Sequence, residues 1–465
     1  MPAASPTAGA IRSRSLWLDQ LGDLTPREPL VGEQVADVVI VGGGLTGMWA
    51  ALHLAQARPG QRIVVLERQV VGYGAAGRNG GWCSAGMAGS PKAYARTSGW
   101  EAVRSAARLT ETAVDEIGAT LAAHDISADF VKGGTLVIAA TRPQWRRLQD
   151  GQATAAVHGL VEPGTRVLNP DGVRAIVQTP NVVGGLFTPH CARIQPARLV
   201  RGLADACERL GVVIHEGSSV ESLEPGRVRT AAGLVRAGTV LRTTEAWSEQ
   251  LAGRGASYLP LTSMMIATEP LPDAVWNELG WPQGLTIRDR HHLFFYAQRT
   301  ADDRIAIGGR GAPYRLRDPL AEFGDRDRPV WNRLEQALLE HFPQTRGAST
   351  THRWGGLLAV PRDWSMSLTW DPVERVGAAG GYSGHGVVAA YLAGRGLADL
   401  VTGRRSPYST APWVGHRSRR WEPEPLRYLA ANAIVRVLDG ADRFEDATDR
   451  TARRVRLLSP VLPPG

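Results

Sequence analysis

Three glycines spaced G-x-G-x-x-G stand at Gly42, Gly44 and Gly47, inside the run VIVGGGLTGMWAAL. This spacing does its chemistry through the backbone. The first glycine permits a tight turn, the second lets a pyrophosphate approach the main chain, and the third lets a helix pack close to a strand. Leu45 and Thr46 open that helix, where free N–H groups and the positive dipole end attract phosphate. An acid, Glu67, follows at the end of the next apolar run and is placed to accept hydrogen bonds from ribose hydroxyls. Together these residues predict a dinucleotide site.

A second glycine-rich stretch, Gly72 to Gly81 (GYGAAGRNGG), follows closely and contains Gly74, Ala75, Ala76, Arg78, Asn79 and Gly80. A nicotinamide dinucleotide fold does not need it. It suits a cofactor that runs on past the pyrophosphate into a ribityl chain and a flat ring, which is FAD. A third stretch, Gly380 to Val388 (GGYSGHGVV), precedes a helical pattern and holds Gly381, Tyr382, Ser383, Gly384, His385, Gly386 and Val387. A helix N-terminus there would stabilise the negative charge that gathers on a reduced flavin ring. For His385 a backbone role is the expectation.

The elements that must position these loops are legible in outline. Ala36–Val41 and Arg62–Glu67 read as strands buried on both faces, and the segment from Met48 to Ala57 between them reads as a helix. Residues 1–35 read as an irregular arm, with Pro26 and Pro29 breaking any helix. Nucleotide-type segments sit early, near residues 200–245, and late, with strand-like alternation between them. The expected class is α/β (α+β): a Rossmann-type FAD domain built from discontinuous segments (36–125 with 190–250 and 350–405), plus an antiparallel-sheet substrate domain (126–189 with 251–349). A C-terminal tail would span 406–465.

Composition narrows the function classes. A length of 465 residues suits two or three domains. The formal net charge of +8 comes from basic residues scattered among acids, with no nucleic-acid motif, so no nucleic-acid partner is expected. There is no apolar run of membrane-spanning length and no secretory leader pattern. Cys83, Cys191 and Cys207 are widely spaced and form no metal or disulfide pattern. A cytoplasmic protein without a metal is therefore expected. Nothing in the sequence specifies an oligomeric state.

The segments 36–55, 72–81, 193–206 (RIQPARLVRGLADA), 352–356 (HRWGG) and 380–387 together resemble the D-amino-acid oxidase-like flavoenzymes, and among them gamma-glutamylputrescine oxidase-like proteins. The resemblance implies non-covalent FAD, with adenosine at Glu67 and Arg68 and pyrophosphate and ribityl along 74–81. It places the backbone of Val220 at the adenine and the ring against 381–387. It also implies hydride transfer to flavin N5 from a C–H next to nitrogen, giving an imine that hydrolyses. The electron acceptor is then O2 or another oxidant.

Three departures shape the substrate expectation. Relatives often read ATGA before WS, whereas this chain reads RTTEAWS from Arg242 to Ser248. Amino-acid-oxidising relatives carry an arginine in a GLRP-like stretch, where this chain has GGLLAV from Gly355 to Val360. An amine, or a secondary amine with a distant carboxylate, is therefore expected rather than a simple α-amino acid. Only two lysines are present, Lys92 and Lys132, which predicts slow reaction with O2 unless Arg310 substitutes for a lysine near the ring. Trp354, Tyr296, Arg310 and Met264 are the substrate-side candidates. Two other readings are an NAD(P)H-dependent flavin monooxygenase and a non-catalytic FAD-binding subunit of a complex, docking through the arginine-rich tail.

Overall fold

A computed structural model describes residues 8–251, 257–311, 314–316, 323–324 and 327–458. The strand Gly32–Val41 pairs in parallel with Ile63–Leu66 on one side and Gly233–Arg242 on the other. Val213–His215 and Val376–Gly380 extend the sheet at its two sides, also in parallel. Val38 to Val41 are all buried, because both sheet faces are covered. The apolar helices Leu45–Ala57, Pro196–Arg209 and Gly386–Thr402 share one buried cluster with Val38, Ile40 and Val65. Val228, from the antiparallel ribbon Val220–Glu224 and Arg227–Thr230, packs with Val39, Val41 and Leu66 on the opposite face.

The second sheet runs in the order 350–360, 259–268, 305–310, 295–299, 286–289, 135–139, 184–188, 166–168. Its pairings are antiparallel except that Thr286–Asp289 lies parallel to Thr135–Ala139. Thr350–Val360 pairs with Leu259–Thr268 along its length. Those residues thus belong to the second sheet, whereas the sequence pattern grouped 350–405 with the nucleotide-type segments. One face packs on the helix Arg328–His341 through Met264, Ile266, Ile307 and Leu334.

The N-terminal arm is more ordered than its prolines suggested. Ala8–Arg12 and Leu16–Asp19 are short helices. Trp17 is 1% exposed, its indole N–H donates to Asn79 O at 2.8 Å, and Ser15 Oγ donates to Gly77 O at 2.8 Å. The arm therefore braces the second glycine stretch from outside.

The tail also folds onto the body. Tyr408 and Trp413 are buried, and the helix Leu426–Thr448 docks on the loop after Asp289. Asp442 accepts the N–H groups of His292 and Leu293 at 2.8 and 2.9 Å. Glu445 pairs with Arg147 at 2.6 Å. Burial pushes the Glu445 carboxyl up, but His292, the Ala452 N–H and Arg147 outweigh it and bring it down to about 2. A depressed carboxyl contributes stability above its ordinary value of 4.5, and that contribution is lost as pH falls toward 2. Glu445→Gln is expected to cost about 3 kcal/mol at neutral pH and to remove this acid sensitivity. Hydrogen exchange along 426–448 at pH 7 and pH 4 would check both effects. Among the described residues no helix is long and apolar enough to cross a membrane.

Candidate functional site

A cavity of about 470 Å³ lies between the two sheets. Its nucleotide end is built by the turn that follows Val41. Gly42 has φ +113°, and the helix Leu45–Ala57 begins with Gly44 as its N-cap and no side-chain cap. The free N–H groups of that first turn face a cavity lined by Gly42, Gly44, Leu45 and Thr46. Gly47 does not line the cavity. It sits where the helix crosses the turn.

Glu67 closes this end. Its half-buried carboxylate accepts the N–H groups of Gly43 and Gln69 at 2.7 and 2.9 Å. Burial raises its pKa against those two donors. Arg68 lies over the Trp247 ring at 4.8 Å, and both line the cavity, as does Val220. Thr243 Oγ1 donates to Val41 O at 3.0 Å and so ties the crossover strand to the turn.

Gly74, Ala75, Ala76, Arg78, Asn79 and Gly80 carry the lining onward. Arg78 is 5% exposed and lies over the Tyr73 ring at 4.5 Å. Asn79 shapes the turn by accepting the Gly81 N–H at 2.8 Å and donating to Ala76 O at 2.9 Å. Gly81 does not line the cavity and is packed against Gln298.

The third glycine stretch faces the same space. Tyr382, Ser383, Gly384, His385, Gly386 and Val387 line it, whereas Gly381 is turned toward Pro361. The helix Gly386–Thr402 again starts without a side-chain cap. The Tyr382 hydroxyl meets Thr46 Oγ1 at 2.7 Å, which joins this loop to the first helix. Behind the loop sits Glu245, a non-glycine residue at φ +45°. Its carboxylate accepts from Gly381 N at 3.1 Å, Tyr382 N at 3.0 Å and Ala359 N at 3.1 Å. The His385 ring lies beside Gly86, where an added Cβ would stand 2.7 Å from Nδ1.

The opposite wall is the second sheet. Tyr296 lines the cavity, and its hydroxyl meets Ser263 Oγ at 2.7 Å. An added Cβ on Gly80 would stand 2.5 Å from the Tyr296 ring, so Tyr296 marks where the two halves of the site meet. Met264 is buried in the core on the far face, packed with Ile266 and Ile307. Ser263 lines the cavity in its stead, because successive strand residues point to opposite faces. Trp354 is also away from the cavity. It is fully buried, edge-on to Trp17 with centroids 6.0 Å apart, and its N–H donates to Arg78 O at 3.0 Å. It supports the loop that lines the site. The Arg310 backbone pairs with Ser263; its side chain lies outside the described residues.

Sequence reasoning missed Arg288, Phe294, Val137, Glu162 and Leu357, all of which line the cavity. They come from segments far apart in the chain, and no local spacing connects them. The RTTEAWS departure was the one local signal for Glu245.

Two uncapped helix N-termini and three small-residue loops around one elongated lining fit a dinucleotide that ends in a planar ring. A family model described as FAD dependent oxidoreductase matches residues 37–400. The chain is 31% identical over 388 residues to gamma-glutamylputrescine oxidoreductase of Escherichia coli, covering 81% of this chain and 86% of that protein. It is 24% identical to sarcosine oxidase subunit beta of Rhodobacter capsulatus, over 80% of this chain and 86% of that protein. Among solved structures, glycine oxidase from Geobacillus kaustophilus superposes with a TM-score of 0.69 at 19% identity, covering 83% of this chain and 99% of that one.

Proposed function

Since the chain belongs to the FAD-dependent oxidoreductase family, we propose that it oxidises a carbon–nitrogen bond of an amine or amino-acid-derived substrate. The observation that carries this reading is one continuous cavity. It runs from the Gly42–Thr46 cradle, past Gly80 and His385, to Tyr296 on the second sheet. Bound FAD supplies a two-electron acceptor for the hydride of a C–H next to nitrogen; the nitrogen gives up a proton, a C=N bond forms, and water hydrolyses it.

The chain's own residues do the rest. The Rossmann-type turn at Gly42 and Gly44, with the first turn of the helix from Leu45, holds the pyrophosphate. Glu67 takes the adenosine ribose, Arg68 and Val220 flank the adenine, and residues 74–80 follow the ribityl chain. Residues 382–387 would back the ring, and the uncapped start of the helix from Gly386 would supply N–H donors to the negative charge of the reduced flavin. Tyr296, Trp82 and Leu357 wall the reacting end and exclude water, which favours the neutral amine needed for the reaction. The three cysteines are free and buried, which supports placement in the cytoplasm.

The test is anaerobic bleaching of the bound flavin by a panel of amines and amino acids, followed by air. Bleaching by an amine is the expected result. Reduction by NAD(P)H alone would transfer the assignment to a monooxygenase, and no reduction at all would favour a non-catalytic subunit. Recovery in air is expected to be slow. Neither lysine lines the cavity, and Lys132 pairs with Asp115, so neither supplies the positive charge that stabilises developing superoxide. Stopped-flow reoxidation with O2 and with an artificial acceptor measures this, and rapid recovery with O2 would refute it.

A further inference from the structure

The cavity wall contributed by the second sheet is polarised. Arg288 lies on the strand Thr286–Asp289, directly across from Tyr296 on one side and Val137 on the other. All three line the cavity. Adjacent strands are about 4.8 Å apart, so Arg288 stands one strand from the residue that touches the Gly80 loop. Its neighbours in the chain, Ile287 and Asp289, face away from the cavity into the protein. Asp289 is occupied there, accepting the Phe295 N–H at 3.0 Å and pairing with His291.

The Arg288 guanidinium is oriented before any ligand arrives. It lies over the Phe294 ring at 4.1 Å, and Phe294 lines the same cavity. That contact restrains the guanidinium beside the cavity, and a planar fork suits the two oxygens of a carboxylate. Beyond Val137 the wall changes sign. Glu162 lines the cavity there, and its carboxylate accepts the His190 N–H at 2.8 Å. The acid and the cation thus stand at different parts of the same wall.

We propose that Arg288 is the anion-reading group of the substrate cavity, and that the substrate is an amine bearing a carboxylate. The assignment of a substrate rests on the amine-oxidation reading; the anion site itself does not. The position also accounts for the chain's apolar Gly355–Val360 stretch: the cation that reads the carboxylate stands on a different strand, four strands along the sheet order from Thr350–Val360.

Two measurements on the FAD-loaded protein separate the site from the reaction. First, butyrate and butyramide are titrated against the flavin spectrum. Butyrate is expected to bind at least about 30-fold more tightly, and Arg288→Gln to abolish that difference, because a charge-assisted pair is lost. Arg288→Lys, which keeps the charge without the fork, is expected to retain part of it. Second, paired amines that differ only in carboxylate versus carboxamide are compared as reductants, including N-methyl amino acids and longer amino acids. The wild-type preference for the carboxylate is expected to be about 100-fold or more. In Arg288→Gln it should collapse to within a few-fold. Equal binding of butyrate and butyramide, or an unaltered preference in a flavin-loaded Arg288→Gln protein, overturns the proposal even while amines still bleach the flavin. Arg288-dependent butyrate binding with no amine oxidised would keep the anion site and remove the amine-oxidation reading.

Discussion

Gly47→Ala is expected to yield protein with almost no bound flavin and an FAD affinity weakened at least about 100-fold. A Cβ at this position would stand 2.1 Å from Gly42 O and 3.0 Å from Thr243 Oγ1. The first contact is with backbone in the same turn that must cradle the pyrophosphate. The helix Leu45–Ala57 can only relieve it by moving off the strand, and that moves its N-terminal N–H groups as well. Overpacking of this kind costs about 1–3 kcal/mol before any ligand is considered, so the apoprotein should also melt earlier.

Gly44→Ala provides the contrast that makes the prediction specific. There the nearest atom to an added Cβ is Ala76 Cβ at 4.0 Å, and the backbone φ is −84°, which alanine adopts freely. The apoprotein should be as stable as the wild type, yet FAD affinity should still fall, because the new methyl fills space meant for the ligand. Thermal melts of both apoproteins and FAD titrations by fluorescence quenching read the two effects apart. If Gly47→Ala melts normally and binds FAD normally, the close helix–strand packing is not what this glycine serves. If Gly44→Ala binds FAD normally, the pyrophosphate does not approach there.

The contrast between these glycines also shows what was legible in the sequence. Turn, approach and packing are local demands, and each leaves its mark on a residue within a few positions of the others. The parity of the second sheet leaves no such mark. Leu259–Thr268 is buried along most of both faces, so apolar and polar residues do not alternate, and nothing tells Ser263 from Met264 as the one that faces the site. A shift of one residue inverts the whole assignment. Trp354 misled for the same reason, since a large aromatic on a doubly covered strand is as useful for bracing Arg78 as for walling a pocket. Arg288 was invisible because its setting is assembled across strands. Val137 lies about 150 positions away in the chain and becomes its neighbour only through the parallel pairing of 135–139 with 286–289.

Glu245 was noticed only as a departure from a small-residue motif, and the geometry gives that departure a measurable consequence. A non-glycine residue at φ +45° costs about 1–2 kcal/mol. The carboxylate offsets this by satisfying three backbone donors, on Gly381, Tyr382 and Ala359, that surround the proposed ring site. Among the described residues, Tyr258 and Tyr382 are titratable side chains that face it, and burial raises both above the ordinary tyrosine value of 10. Burial pushes the Glu245 carboxyl up to about 7, against the pull of the three N–H groups. For an acid with a raised folded pKa, the protonated form favours folding. This contribution is fully present below the ordinary value of 4.5 and is lost as pH rises to about 7. The change is about 3 kcal/mol across that interval, and it acts on the loop that backs the flavin. Glu245→Gln cannot titrate, so the difference in unfolding free energy between wild type and variant should move by about that amount between pH 4.5 and pH 7.5, in favour of the variant at the higher pH. FAD affinity of the wild type should show a pH step near 7 that the variant lacks, because loop and ligand share these donors. Denaturant melts of the apoprotein and FAD titrations across this range provide the two readouts. A wild-type-minus-variant difference that stays flat with pH would mean that Glu245 remains ionised throughout, held by its three N–H donors, and serves only as a fixed clamp on the flavin loop.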